Sequence, residues 1–472
     1  MVCYQEEVRD PSRMAEVLNR VIEKAIRGSA PAQINVPRDY WTQVIDIDLP
    51  PIVRFERQGG GKDAIDRAAK LLSDAKFPVI LSGAGVVIGN AIEDCKKLAE
   101  KLDAPVCNGY QHNDSFPGSH PLAVGPLGYN GSKAGMQLIS KADVVLALGT
   151  RLNPFSTLPG YGIDYWPKNA KIIQVDMNPD RIGLTKKVTV GICGDAKMVA
   201  QQILEKLSKN AGDSGREERK NLIHQTKSAW LQTLTGLDHE EDDPGTVWNK
   251  EARERDKDRM SPRQAWRAIQ EAMPTDVIIS SDIGNNCAIG NAYPTFEKGR
   301  KYLAPGLFGP CGYGFPAILG AKIGCPDTPV IGFAGDGAFG ISMNEMSSCA
   351  RKEWPAITMV IFRNYQWGAE KRNSILWFDD NFVGTELDPE LSYAKVANAC
   401  GLKGVTVKTM AETTSAIKQS CEDQKKGITT FIEIILNQEL GEPFRRDAMK
   451  KPVEVAGINK EDMKPQISEN NR

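Results

Sequence analysis

Gly335-Asp336-Gly337-Ala338 is the stretch whose residue types most directly suggest chemistry. It follows the apolar run 330–334 and precedes a helical pattern that begins near Ala338. Small residues at such a point let backbone N–H groups approach an anion, and a helix N-terminus favours negative charge. In open parallel sheets, ligands bind outside the carboxyl ends of the strands. A carboxylate there would repel phosphate unless a cation lay between them. Asp336 therefore suggests Mg2+ bridging a carboxylate and a polyphosphate, because magnesium takes oxygen ligands and keeps phosphate in its shell. The next apolar run, 357–362, ends in Arg363-Asn364-Tyr365-Gln366-Trp367-Gly368. Asn364 stands 28 positions after Asp336, the length of one strand–helix–strand step, which sets both residues at one sheet edge. An amide oxygen and a nearby backbone carbonyl would complete the protein's ligands. A lone Gly-Asp-Gly is more simply a capped loop; Asn364 in register favours the metal.

Two further loops fit the same unit. Ser281-Asp282-Ile283-Gly284-Asn285-Asn286 ends a strand with a glycine and two amides, suited to a phosphate. Gly309-Pro310-Cys311-Gly312-Tyr313-Gly314 is a glycine-rich turn against which a flat ligand could press. Each alone reads as a turn; together they read as one binding region.

The elements that position these loops follow from periodicity. Residues 1–46 show a helical pattern over 12–27, closed by Gly28, then a short strand at 32–36. One helix and one strand cannot bury their apolar faces alone, so this segment reads as the remnant of a domain. Residues 60–205 alternate helices with strands at 78–81, 104–107, 143–148 and 171–175, which argues for a parallel sheet covered on both faces. Residues 206–260 read as a charged, solvated linker with some helix. Residues 262–440 form another such unit, with strands expected at 277–281, 330–334, 357–362 and 430–436, and 441–472 reads as a polar tail. The fold class expected is α/β: two doubly wound parallel-sheet domains plus the remnant of a third. The middle unit's Gly83-Ala84-Gly85, with Gly89, has the look of a dinucleotide loop but is read as a structural turn. His112 and His120 are expected to be structural.

Composition narrows the function classes. The chain has 472 residues, 59 Lys and Arg against 60 Asp and Glu, and 41% apolar content. At about 100–200 residues per domain, that is two to four domains. The net charge of −1 gives no electrostatic grip on nucleic acid or an anionic membrane. No apolar stretch approaches the ~18 residues of a membrane span. The acidic first residues lack a signal-peptide core. Ten cysteines without a CxxC read as reduced thiols in a cytoplasmic protein. None of the four histidines lies beyond residue 239, so the C-terminal half works without imidazole.

Gly335-Asp336-Gly337 followed by Asn364 resembles the signature of thiamine-diphosphate-dependent enzymes of the acetolactate synthase and pyruvate decarboxylase group. The resemblance covers nearly the whole chain. It implies that Asp336, Asn364 and the Gln366 carbonyl hold Mg2+. It also implies that Gly284, Asn285 and Asn286, with Gly337 and Ala338, line the diphosphate, and that Gly335 and Gly368 belong to the cofactor-binding residues. Gly309 and Cys311 would meet the aminopyrimidine. The sequence departs from the pattern at Arg363, where the group carries Asn, and at Cys311, where it usually carries a large apolar residue that bends the cofactor. The glutamate that activates the cofactor in this group has no counterpart here, so no catalytic residue is assigned. The chain is expected to be a shortened form, which about a hundred preceding residues would complete to a normal domain size.

Within the group, 111–118, 152–162 and 441–447 are most similar to the branch that acts on sulfoacetaldehyde. That implies sulfoacetaldehyde and phosphate as substrates, acetyl phosphate and sulfite as products, and a place in taurine and sulfonate breakdown. Two alternatives stand beside it: a carboligase acting on 2-oxo acids, and an inactive cofactor-binding fragment. Both substrates are anions, so Lys371 and Arg372, just after the metal loop, are candidate contacts, against a solvated basic turn as the plainer reading. A homodimer or homotetramer is implied by the resemblance.

Overall fold

Runs of four to six apolar residues ended by Gly, Asp or Ser make buried strands, and here they assemble into parallel sheets flanked by helices. The computed structural model describes residues 2–28, 30–49, 56–161, 163–236, 254, 256–306, 308–351, 353–377 and 381–439. The first segment contains β1 (Tyr4–Glu7), a helix over Met14–Gly28 and β2 (Ala32–Asn35), with β1 and β2 paired in parallel. Val8, Val17 and Val21 form its small core, while Leu18, Ile22 and Ile26 on the same helix are exposed.

The middle unit contains β3 (Pro78–Ser82), β4 (Val106–Asn108), β5 (Ala123–Pro126), β6 (Val144–Leu148), β7 (Lys171–Asp176) and β8 (Val190–Cys193). They pair in parallel in the order β5-β4-β3-β6-β7-β8, so the winding reverses between β3 and β6. The glycine loop sits at that reversal. Gly85 N–H donates to Gly149 O at 2.8 Å. A Cβ on Gly85 would lie 2.6 Å from Gly149 Cα, and one on Gly83 would lie 2.6 Å from Gly149 O. The strand tips meet backbone to backbone, so these glycines serve a close approach within the fold. Gly85→Ala is expected to cost about 1–3 kcal/mol, the price of overpacking, read as a lowered melting temperature. An unchanged melt would refute the close-approach reading.

Within the expected linker the structure differs from the sequence reading. Arg216–Gly236 is one helix seated on the middle unit, with Arg219, Ile223 and Trp230 buried. The Arg219 guanidinium donates to five main-chain oxygens: Asp103 at 2.9 Å, Lys76 at 2.8 Å, Ser214 at 2.8 Å, Leu102 at 2.9 Å and Gly212 at 2.6 Å. A solvated reading fails because the buried Arg219 docks the first turns by hydrogen bonds while Leu222 and Ile223 pack on the middle unit's core beside it. The acidic run 238–243, the stretch 441–447 and the tail 441–472 lie outside the described residues.

The last unit contains β9 (Ile278–Ser281), β10 (Tyr302–Leu303), β11 (Val330–Gly335), β12 (Thr358–Arg363), β13 (Lys403–Val407) and β14 (Thr430–Ile435). Their order is β10-β9-β11-β12-β14-β13, again all parallel. Both sheets are thus doubly wound, as the sequence indicates. Trp266, from the helix Pro262–Ala272, packs on Phe333 of β11 and Phe362 of β12, with ring centroids 4.7 and 5.3 Å away.

The stretch 111–118 clamps the two large units together. Asn113 Nδ2 donates to Asn291 O at 2.9 Å and Pro294 O at 2.8 Å. Asp114 Oδ2 accepts from Lys301 N–H at 2.9 Å and Tyr302 N–H at 3.3 Å, holding the start of β10. Gln111 N–H donates to Asn291 Oδ1 at 3.1 Å, and Asn291 Nδ2 returns a bond to Tyr129 O at 3.1 Å. His112, in the same loop, is pushed down to about 4 by burial and so stays neutral. His120 lies at the loop's end, where Nδ1 accepts from Leu122 N–H at 3.2 Å.

Candidate cofactor and metal centre

The last sheet reverses its winding between β9 and β11, and a crevice at such a reversal is where open α/β sheets bind ligands. The loops singled out in the sequence leave the carboxyl ends of β9, β11 and β12 around it. Asp336 is buried at the first position of the helix Asp336–Ser342. Its Oδ1 accepts from Gly337 N–H at 3.0 Å. Its Oδ2 accepts from Tyr365 N–H at 2.6 Å and Arg363 Nη1 at 3.1 Å. Burial pushes the Asp336 carboxyl up to about 6, although the Arg363 guanidinium pulls the other way.

Asn364 and Gln366 follow on the β12 tip and are both buried. Asn364 Oδ1 and Gln366 Oε1 are buried without a hydrogen-bond partner among the described residues. Gln366 Nε2 is used, donating to Gln438 O at 3.0 Å. Two close approaches knit the loops. A Cβ on Gly337 would lie 2.8 Å from the Trp367 ring, and one on Gly368 would lie 3.2 Å from Asn285 Nδ2.

On the opposite wall, Asn285 and Asn286 open the short helix Asn285–Ile289 and are buried. Trp266 Nε1 donates to Asn286 O at 2.7 Å, pinning that turn, while Asn286 Oδ1 has no partner among the described residues. Gly284 has φ +132°, a conformation that excludes ordinary side chains. A Cβ at Gly284 or Gly335 would meet no heavy atom within 4 Å, so the backbone on both walls is open to a ligand.

Asp282, passed over by the sequence reading as a site residue, ties two loops together. Its Oδ1 accepts from Ile283 N–H at 2.8 Å and Gly312 N–H at 3.1 Å, and its Oδ2 from Gly314 N–H at 2.7 Å. A carboxylate at a strand end facing a glycine-rich turn is the signal that could have revealed it. Gly309 (φ +65°) and half-buried Cys311 lie in that turn, and burial pushes the Cys311 thiol up. Lys371 is buried and paired with Glu386. Arg372 lies in the helix Gly368–Trp377, its side chain outside the described residues.

Residues 65–203 match the model of the thiamine pyrophosphate enzyme central domain, and 282–434 match that of the C-terminal TPP binding domain. The chain is 78% identical over 466 residues to a probable sulfoacetaldehyde acetyltransferase of Rhizobium meliloti (strain 1021), covering 99% of this chain and 79% of that protein. The chain belongs to the sulfoacetaldehyde acetyltransferase family of thiamine pyrophosphate enzymes. The sulfoacetaldehyde acetyltransferase of Roseovarius nubinhibens is 74% identical, over 99% of this chain and 77% of the relative. A probable acetolactate synthase large subunit of Methanococcus aeolicus is more distant, 27% identical over 89% of this chain and 70% of its own length.

The donor set suits the ion that thiamine pyrophosphate enzymes are expected to carry. No group of three or more His, Cys, Asp or Glu among the described residues could hold a metal. The Asp336 carboxylate and the buried amide oxygens of Asn364 and Gln366, unpartnered among the described residues, stand on neighbouring strand tips. All-oxygen ligation with few protein groups matches Mg2+ that completes its shell with phosphate and water.

Proposed function

We propose that the crevice binds thiamine diphosphate through Mg2+ and that the protein converts sulfoacetaldehyde and phosphate to acetyl phosphate and sulfite. The observation that carries the reading is the Asp336 carboxylate beside the unpartnered Asn364 amide oxygen, at the winding reversal of a TPP-binding domain. Asp336, Asn364 and the Gln366 carbonyl would hold the ion, with Gly284, Asn285, Asn286, Gly335, Gly337, Ala338 and Gly368 around the diphosphate. Gly309 and Cys311 would border the aminopyrimidine. When bound, the cofactor supplies the nucleophilic carbon and the electron sink that let a carbon–sulfur bond break. The chain's own residues orient the diphosphate and keep water from the buried wall, and the ion they would hold balances its charge. The overall change balances without an external oxidant or reductant, since the aldehyde carbon is oxidised to the acyl level while its neighbour, losing sulfite and gaining a proton, is reduced from methylene to methyl. Lys371 is the proposed contact for the substrate anions, held in place by Glu386, with Arg372 beside it in sequence.

The reading extends to two or four copies of the chain acting together, which light scattering measures, and to a cytoplasmic setting. All ten cysteines are free, and no described helix is long and apolar enough to cross a membrane. Product analysis tests the function: sulfoacetaldehyde with phosphate should yield acetyl phosphate and sulfite in equal amounts. An acetohydroxy acid and CO2 from 2-oxo acids would instead make it a carboligase. Cofactor binding with no turnover of either substrate would leave the fragment reading.

A further inference from the structure

We infer that Arg363 is a positioning residue for the metal centre, fixing the Asp336 carboxylate so that a single oxygen faces the ion. The inference rests on the cofactor reading above. Arg363 ends β12, between β11, whose tip carries Asp336, and β14, which carries Glu433. All three side chains are buried.

Both terminal nitrogens of the guanidinium donate, while Nε makes no hydrogen bond among the described residues. Nη1 donates to Asp336 Oδ2 at 3.1 Å, and Nη2 donates to the carbonyls of Asp388 and of Leu391, the latter at 3.0 Å. Nε lies 3.8 Å from Glu433 Oε1. The cation lies 4.2 Å from the Tyr365 ring centroid and 5.4 Å from that of Tyr393. Both tyrosines also grip Asp336, through Tyr365 N–H on Oδ2 at 2.6 Å and Tyr393 O–H on the main-chain oxygen at 2.8 Å.

Among the described residues Asp336 Oδ2 thus has two donors, while Oδ1 has only Gly337 N–H. The carboxylate cannot turn without breaking the Arg363 contact, so Oδ1 is the oxygen left for a cation. Glu433 is held separately by Ser392 Oγ at 2.7 Å, Tyr393 N–H at 3.1 Å and Thr406 Oγ1 at 3.2 Å. Two buried carboxylates on either side of one strand need a charge between them, and a planar fork supplies it while bonding three acceptors at once. A lysine at this position would bring the charge without the fork.

Titrating Mg2+ calorimetrically into the full chain with thiamine diphosphate present tests this, using wild type, Arg363→Lys and Arg363→Gln. Melting temperatures are recorded without metal. Both variants are expected to fold and to bind Mg2+ about 10- to 100-fold more weakly, as outer-shell changes at metal sites do, with Lys giving no rescue over Gln. Wild-type affinity in Arg363→Lys would show that charge alone matters and would overturn the inference. Lowered melting with unchanged Mg2+ affinity, or loss of the fold in both variants, would show a purely structural arginine and overturn it equally. A wild-type chain that binds neither Mg2+ nor thiamine diphosphate would instead bring down the cofactor reading on which the inference stands.

Discussion

Asp336→Asn will weaken Mg2+-dependent thiamine diphosphate binding beyond the roughly 10–100-fold typical of outer-shell changes, because it removes a direct ligand. The substitution keeps the side chain's size. An amide can still accept one bond where Arg363 and Tyr365 now donate, so the loop geometry has a means of surviving. What is lost is the negative charge that draws a divalent cation into a buried site, where attraction is screened less than in water. Arg363 then faces Glu433 and two carbonyls, with Asp336's charge gone. Calorimetry with and without Mg2+ reads the loss, and circular dichroism confirms the fold. Asp336→Ala serves as the harsher control and should also destabilise, since it deprives a buried guanidinium of one charged partner. Wild-type cofactor affinity in Asp336→Asn would remove Asp336 from the centre.

The largest expected stability effect lies far from that crevice. Arg219→Met should destabilise the middle unit by more than about 4 kcal/mol. Five main-chain oxygens lose their donor at once, and each buried acceptor left unpaired costs about 1–3 kcal/mol before relaxation. For a domain of this size that is a drop of roughly 8–16 °C in melting temperature. The methionine retains part of the packing volume, so the loss reports the hydrogen bonds more than the cavity. Limited proteolysis should cut around 206–216 first, as the helix Arg216–Gly236 detaches. A change below about 1 kcal/mol, within the ordinary surface range, would mean that helix is held by something else.

These two residues mark where local pattern was and was not enough. The strands around the crevice were legible because β11 and β12 are buried, mostly apolar runs and β9 is a buried Ile-Ile-Ser-Ser, each stopped by Asp, Gly or Arg. Their order, and hence the contact between Asp336 and the Asn364 loop, followed from a spacing of one crossover. β1 escaped notice because Tyr-Gln-Glu-Glu has no apolar run and only one face half-buried. β10 is two residues long, and β13 is an edge strand mostly half-exposed. The helix Arg216–Gly236 reads as a solvated charged segment because its anchor is itself a charge, satisfied by carbonyls distant in sequence. The same holds at the site. Asp282 and Arg363 act through partners that only the fold brings near, so the first looked like a loop residue and the second like a departure from the family pattern. The stretch 111–118, recognised by likeness alone, proved to carry the amide and carboxylate that join the two large units.

The most direct measurement is an anomalous difference map from crystals of the full chain grown with thiamine diphosphate and Mn2+ in place of Mg2+. One peak should lie within coordination distance of Asp336 Oδ1 and Asn364 Oδ1, with the diphosphate completing its shell beside Gly284 and Asn285. A peak elsewhere, or a diphosphate seated away from these strand tips, would contradict the account.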